Sequence, residues 1–376
     1  MTGQLICQAC AAAYPLDEAR WRCDCGALLD VAFDPAFEPV FDRERIARRK
    51  PTMWRYREAI PIRDDAHVVS FDEGFTPLIP VEVDGREVLV KQDHLFPTGS
   101  YKDRGASVLV SKVKELGIRH VVEDSSGNAG SAIAAYCARA GVRCDIFVPA
   151  STTAGKLAQI QGYGATLHQI PGSREDTARA ALEAAQQTYY ASHVWNPIFF
   201  QGTKTFAFEV CEQLGWHTPD TVILPVGNGT LLLGAHLGFE ELLAAGVVSR
   251  RPKIIAVQAA NCAPLYRAFQ QGQEAPTPID AQATWAEGIA IAEPVRGPQI
   301  LRAVGGSGGH FLAVSANEIK QALKDICRWG FYIEPSAAAS IAGVRQYVRR
   351  APADETIVTV FTGHGLKTTE KMLKLL

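Results

Sequence analysis

At 376 residues the chain is longer than one hydrophobic core readily fills, so two domains plus an appendage are expected. A hydrophobic content of 47% supplies buried sheets, and a formal net charge of −2 argues against nucleic acid or an anionic membrane surface as the main partner. No apolar run is long enough to span a membrane, and Met1-Thr2-Gly3-Gln4 is not a secretory leader, so a cytoplasmic protein is expected. There is no internal repeat or low-complexity tract.

The chain opens with Cys7-Gln8-Ala9-Cys10 and Cys23-Asp24-Cys25-Gly26. Four thiolates in two close pairs suit a structural tetrahedral zinc with no open position. The second pair is tighter than the usual C-x-x-C, and a metal-free ribbon held by hydrogen bonds and Trp21 packing fits it equally. The other five cysteines (Cys137, Cys144, Cys211, Cys262, Cys327) are scattered through apolar or Ala-rich stretches and read as small, reduced core residues. From Asp34 to Arg63 the interleaved charges predict an exposed helical connector.

Ser100-Tyr101-Lys102-Asp103-Arg104-Gly105 then places a lysine at the mouth of a predicted helix, after the turn formers Pro97, Thr98 and Gly99. A triplet such as Lys-Asp-Arg is by itself an ordinary solvated helix start. At that position, however, the positive end of the helix macrodipole disfavours the ammonium form, and burial acts in the same direction. The neutral amine is what Schiff-base chemistry requires.

Three further segments run from an apolar, β-branched strand through a small-residue loop into a helix. His120 to Asp124 leads into 125–130 and a helix from Ser131 to Arg139. Thr221 to Val226 leads into Gly227-Asn228-Gly229-Thr230 and a helix from Leu231. Thr356 to Phe361 leads into Thr362-Gly363-His364-Gly365 and the last helix. Such alternation predicts parallel α/β sheets, whose ligands bind outside the carboxyl ends of the strands. Gly227, Asn228, Gly229 and Thr230 suit a phosphate cradle of backbone N–H groups. Ser125, Ser126 and Gly127 offer donors for a carboxylate, Asn128 adds a carboxamide, and Thr362 can share its proton with a ring nitrogen. Lys253 to Gln258 and His310 to Val314 read as further strands, 272–281 as a surface loop, and 305–309 as a flexible turn.

These residues resemble threonine synthase and its relatives among the fold-type-II pyridoxal-phosphate enzymes, in order and over almost the whole chain. Met53-Trp54-Arg55-Tyr56 and Glu73-Gly74-Phe75-Thr76-Pro77-Leu78 are similar to the family's N-terminal signatures. Tyr101-Lys102-Asp103-Arg104-Gly105 resembles its (F/Y)KDRG segment, and Thr362-Gly363-His364-Gly365-Leu366-Lys367 its TGHGLK. Ser126-Gly127-Asn128, Gly155-Lys156-Leu157 with Tyr163-Gly164-Ala165, Glu287-Gly288-Ile289 and Glu334-Pro335-Ser336 resemble other active-site segments of the family. The resemblance implies two doubly wound α/β domains, tryptophan synthase β-like, behind an N-terminal cysteine-rich ribbon. The expected boundaries are 1–32 for a zinc-ribbon-like leader, 33–98 with 201–376 for a large phosphate-binding domain, and 99–200 for a small domain. It also implies pyridoxal 5′-phosphate between the domains, carried by Lys102, with Asn128 at the ring oxygen, Thr362 at the ring nitrogen and 227–230 at the phosphate. Ser125, Ser126 and Gly127 would then hold the substrate carboxylate, and a homodimer is expected.

Three substrate-side positions depart from the family pattern. Phe199 occupies an arginine's place, Ala129 a threonine's, and Leu231 replaces an asparagine. Phe199 offers no charge-assisted donor to a substrate phosphate, leaving Lys156 and Lys204 as the basic candidates. The implied activity is γ-elimination of phosphate from O-phosphohomoserine and addition of water to give threonine. The alternatives are a serine or threonine dehydratase, a cysteate-synthase-like replacement on O-phosphoserine, and a catalytically idle binding protein of the same fold.

Overall fold

Short β-branched runs alternating with Ala-rich amphipathic segments fold here as strands and helices. The computed structural model describes residues 3–33, 41–152, 154–172 and 174–376. The chain forms two compact units, Met1–Gly74 with Lys102–Thr203, and Phe75–Tyr101 with Lys204–Leu376.

The first unit begins with a three-stranded antiparallel sheet, β1 (Gly3–Cys7), β2 (Ala13–Pro15) and β3 (Leu29–Phe33), ordered β2-β1-β3. Its main sheet is parallel and four-stranded: β6 (His120–Glu123), β7 (Arg143–Pro149), β8 (Thr166–Ile170) and β9 (Tyr189–Tyr190), ordered β8-β7-β6-β9. The helices Lys102–Glu115 and Asn128–Ala140 flank β6 in sequence and pack on one another. One hydrophobic cluster unites Leu5 and Leu29 of the small sheet and Trp21 of its connecting loop with Val121 and Tyr190 of the main sheet and Phe199 of the helix Pro197–Thr203. The leader is therefore part of this unit's core and not a separate bead. Residues 34–40 of the expected connector lie outside the described residues; the rest contains one short helix, Arg43–Arg48, and a 3-10 segment, Met53–Ala59.

The second unit holds a six-stranded mixed sheet ordered β12-β11-β10-β13-β5-β4. Its strands are β4 (Leu78–Val83), β5 (Arg86–Lys91), β10 (Thr221–Pro225), β11 (Lys253–Ala259), β12 (His310–Val314) and β13 (Ile357–Val360). All neighbours are parallel except β4 and β5, which form an edge hairpin. Several expected boundaries shift. The helix expected from Ser131 starts at Asn128, placing that carboxamide in the first turn. The glycine stretch at 305–309 is not one turn, because the helix Gly297–Gly306 runs through its first two residues. Among the described residues no helix is long and apolar enough to cross a membrane.

Candidate active site

In the second unit the candidate residues gather around Tyr101. Its backbone N–H donates to the Thr362 carbonyl at 3.0 Å, and its hydroxyl shares a hydrogen bond with Thr230 Oγ1 at 2.8 Å. The glycine loop after β10 and the threonine turn after β13 are thus tied to one residue, and Lys102 is the next residue along the chain. β10 and β13 are parallel neighbours, so both turns emerge from the carboxyl edge of the sheet, as the strand patterns predict.

The loop's geometry fits a phosphate. Gly229 takes the left-handed conformation (φ 74°) as N-cap of the helix Thr230–Ala244, and a glycine there has no side chain to cap the helix start. Thr230, Leu231 and Leu232 are buried, so first-turn N–H groups of a long helix sit out of bulk water. Leu231, in place of an asparagine, leaves this backbone arrangement intact.

The later motif segments meet in the same unit. Ser100 bridges to Gly363, and the Glu334 N–H donates to the Gly363 carbonyl at 2.9 Å. Ser336 Oγ accepts from the Gly288 N–H at 2.9 Å. Segments far apart in sequence thus converge on the threonine turn.

In the first unit Lys102 opens the helix Lys102–Glu115 and is half-buried, its Nζ 5.8 Å from the centroid of the Phe199 ring, within cation–π range. Phe199, fully buried, lies over Gly105, where an added Cβ would come within 2.3 Å of the ring. Trp54 braces the same helix, its Nε1–H reaching Ser107 Oγ at 3.0 Å and Glu73 Oε1 at 3.1 Å. Met53-Trp54 and Glu73 are thereby joined to the lysine segment.

The loop 125–128 leaves β6 and enters the helix Asn128–Ala140. The Asn128 helix begins shortly after β6 ends, and the helix Lys102–Glu115, which precedes β6 in the chain, packs against that helix. Ser125 Oγ accepts from the Gly127 N–H at 3.3 Å, and the Ser131 hydroxyl donates to the Gly127 carbonyl at 3.2 Å. Ser125, Ser126 and Asn128 are half-buried and Gly127 is exposed, so the loop is open to a small ligand. Ala129 is buried.

The two candidate lysines fare differently. Lys156 stands in the helix Ala154–Gly162, but its side chain lies outside the described residues. Lys204 is fully buried, and its Nζ is 2.7 Å from Glu241 Oε1. Burial lowers the lysine pKa and raises that of the glutamate, each partly countered by the other. Lys204 is thereby removed from the cations on offer to a substrate phosphate.

The Sγ atoms of Cys7, Cys10, Cys23 and Cys25 all lie within 4.8 Å of one another, and the four are free thiols. The pairs Cys7–Cys25 and Cys10–Cys23 are 3.5 and 3.6 Å apart. Sulfurs around a tetrahedral zinc, at Zn–S of about 2.3 Å, stand about 3.8 Å apart, so the set fits that ion. Outer contacts are also in place. The N–H groups of Ala9 and Cys10 both reach Cys7 Sγ at 3.4 Å, and the Tyr14 hydroxyl is 3.0 Å from Cys23 Sγ.

This fold and these turns define a class. Residues 69–363 match the family model described as "Pyridoxal-phosphate dependent enzyme", and the chain belongs to that family, in its fold-type-II, threonine-synthase branch. It is 37% identical to a threonine synthase of Methanocaldococcus jannaschii, covering 98% of this chain and 94% of that protein. A threonine synthase of Methanosarcina acetivorans is 35% identical over 98% of this chain and 93% of its own. Among solved structures, a threonine deaminase of T.th. superposes with a TM-score of 0.66 at 25% identity, over 77% of this chain and 92% of that one.

Three positions carry contacts that inspection of the sequence does not assign. Tyr101 stands inside the lysine motif, and its place beside Lys102 is the one local signal of its role. Asp124 and Tyr190 hydrogen-bond side chain to side chain at 2.6 Å directly before the serine loop, a pairing with no local signature.

Proposed function

We propose that the chain is a pyridoxal-phosphate-dependent lyase of threonine-synthase type, releasing phosphate from the γ-carbon of O-phosphohomoserine and adding water at Cβ to give threonine. The observation that carries this reading is the 37% identity with a threonine synthase over 98% of the chain. When bound, the cofactor draws electron density from the substrate's Cα and makes its proton removable. Lys102 would carry the cofactor's aldehyde carbon, and its amine would move the proton at Cα. The N–H groups and hydroxyl of 227–230 would hold the cofactor phosphate, while Asn128 and Thr362 would hydrogen-bond the ring oxygen and ring nitrogen. Ser125, Ser126 and Gly127 would orient the substrate carboxylate. The four cysteines would hold a structural zinc.

A second reading, a dehydratase of serine or threonine, is favoured by two specific observations. The position beside Lys102 is filled by the Phe199 ring, and Lys204 is committed to Glu241. A phosphorylated substrate needs a charge-assisted donor that neither supplies.

The test is to assay phosphate release from O-phosphohomoserine against keto-acid formation from L-serine and L-threonine. Phosphate release with threonine as product is the expected outcome; keto acid alone would overturn the synthase in favour of the dehydratase. Borohydride reduction followed by peptide mass mapping should place the cofactor on Lys102, and Lys102→Ala should be colourless. A colourless wild type that binds no added cofactor would leave only an idle binding protein.

A further inference from the structure

We propose that the four-cysteine knuckle braces the loop 125–128 through an aromatic relay, Trp21 to Tyr190 to Asp124, in which Tyr190 is a positioning residue for the amino-acid ligand. This rests on the reading of 125–128 as the carboxylate cradle and of the four cysteines as a metal site.

Trp21 lies in the chain between the two cysteine pairs, outside any strand or helix. Its place is therefore set by the closure of the knuckle, where the sulfurs must be drawn together. Four thiolates at this spacing repel one another unless a cation sits among them. The Trp21 ring is buried and meets Tyr190 edge-on, centroids 5.0 Å apart at 84°, and Trp195 at 6.0 Å and 89°. These are the favoured perpendicular geometries of aromatic pairs.

Tyr190 closes β9, and its hydroxyl donates to Asp124 Oδ1 at 2.6 Å, with both residues buried. A phenol bound to a carboxylate away from water is a strong, directional contact. Burial also holds the Tyr190 pKa well above that of an ordinary phenol, so the group stays a donor. Asp124 is the residue directly before Ser125, and fixing its side chain fixes the direction in which the loop leaves β6. A second path runs alongside: β3 packs on the helix Pro197–Thr203, which carries Phe199 over Lys102.

Tyr190→Phe keeps the ring against Trp21 and removes only the hydroxyl. The experiment uses the full-length, cofactor-loaded protein, with two readouts: hydrogen exchange of the segment 120–131, and spectral titration with L-threonine, which is product in one functional reading and substrate in the other. In Tyr190→Phe, exchange in 120–131 should quicken by roughly tenfold and the L-threonine Kd should rise roughly three- to tenfold, with cofactor and zinc content unchanged. Stripping the metal from wild type with a zinc chelator should quicken the same segment, and restoring zinc should reverse it. Unchanged exchange in Tyr190→Phe, or metal removal that leaves 120–131 unaffected, would overturn the brace. Faster exchange with an unaltered L-threonine Kd would keep the brace and overturn the carboxylate-cradle reading. A protein that takes up no zinc when offered it would overturn the metal reading, and the metal-dependent brace with it.

Discussion

Gly105 and Phe199 form a notch and its filling. An alanine at 105 would place its methyl 2.3 to 2.5 Å from three ring atoms of Phe199, a side chain that is fully buried. Gly105→Ala should therefore cost about 1–3 kcal/mol by overpacking, and Phe199→Leu in the same chain should recover part of it; thermal denaturation of both variants against the wild type checks this. The anomaly at position 199 is legible in the sequence as an apolar residue where the family carries a cation. Its closure over Lys102 is not, because it depends on two helices crossing. His94 is a second residue whose behaviour only burial reveals. It is buried against Phe361 and His364, and among the described residues its Nδ1 has no hydrogen-bond partner. Burial, reinforced by the His364 charge and opposed by Asp93, pushes its pKa from 6.5 down to about 4. The unfolded chain then binds a proton that the folded chain refuses across this interval, so stability falls as pH drops from 6.5 to about 4. The loss should approach roughly 2–4 kcal/mol below the lower value. Denaturant titrations at pH 7 and near pH 4 should show a smaller loss in His94→Phe; equal losses would assign the acid sensitivity to other groups.

At the scale of elements, the three strand–loop–helix units are legible because each is a local pattern: an apolar β-branched run, a small-residue turn and a helix within about two dozen residues. The edge hairpin β4–β5 is much less so, since it joins β13 across most of the chain and only the pairing Val358↔Leu89 and its neighbours reveals it. Lys204 shows the same limit from the side of charge. In sequence it is a basic residue after a glycine and a threonine, and a substrate role is a reasonable expectation. In the fold it precedes the helix Thr205–Gln213 and reaches Glu241 on the helix Thr230–Ala244, the helix that starts at the phosphate-type loop. Buried ion pairs are weak stabilisers as pairs but costly to break, because the remaining charge is stranded. Lys204→Met should destabilise by about 3–5 kcal/mol, while Lys204→Met with Glu241→Leu should return most of that. The double variant should also keep its KM for whichever amino acid the enzyme turns over within about twofold. A large rise in KM at restored stability would reinstate Lys204 as a substrate contact.

For the molecule as a whole, the open question is whether the cysteine leader is an appendage or a structural member. Its composition suggests an appendage, since a zinc-ribbon-like segment of about thirty residues usually folds around its metal. The packing points the other way. Leu5, Leu16, Trp21 and Leu29 belong to the same buried cluster as the parallel sheet's Val121 and Tyr190 and the helical Phe199, and Arg63 adds an ion pair to Asp17 at 2.9 Å. Trp21 packs edge-on against Tyr190 and Trp195, and truncating a buried tryptophan costs about 3–5 kcal/mol in the large-to-small series. Deleting residues 1–33 should therefore not leave an intact enzyme lacking its ribbon. The remaining chain should bind hydrophobic dyes and melt on the order of 10 °C lower, and its 120–131 segment should exchange at least as fast as in Tyr190→Phe. A truncated protein with the wild-type melting temperature and no dye binding would show that the first unit's core closes without the leader, so that the cysteines, with or without zinc, serve something other than this fold.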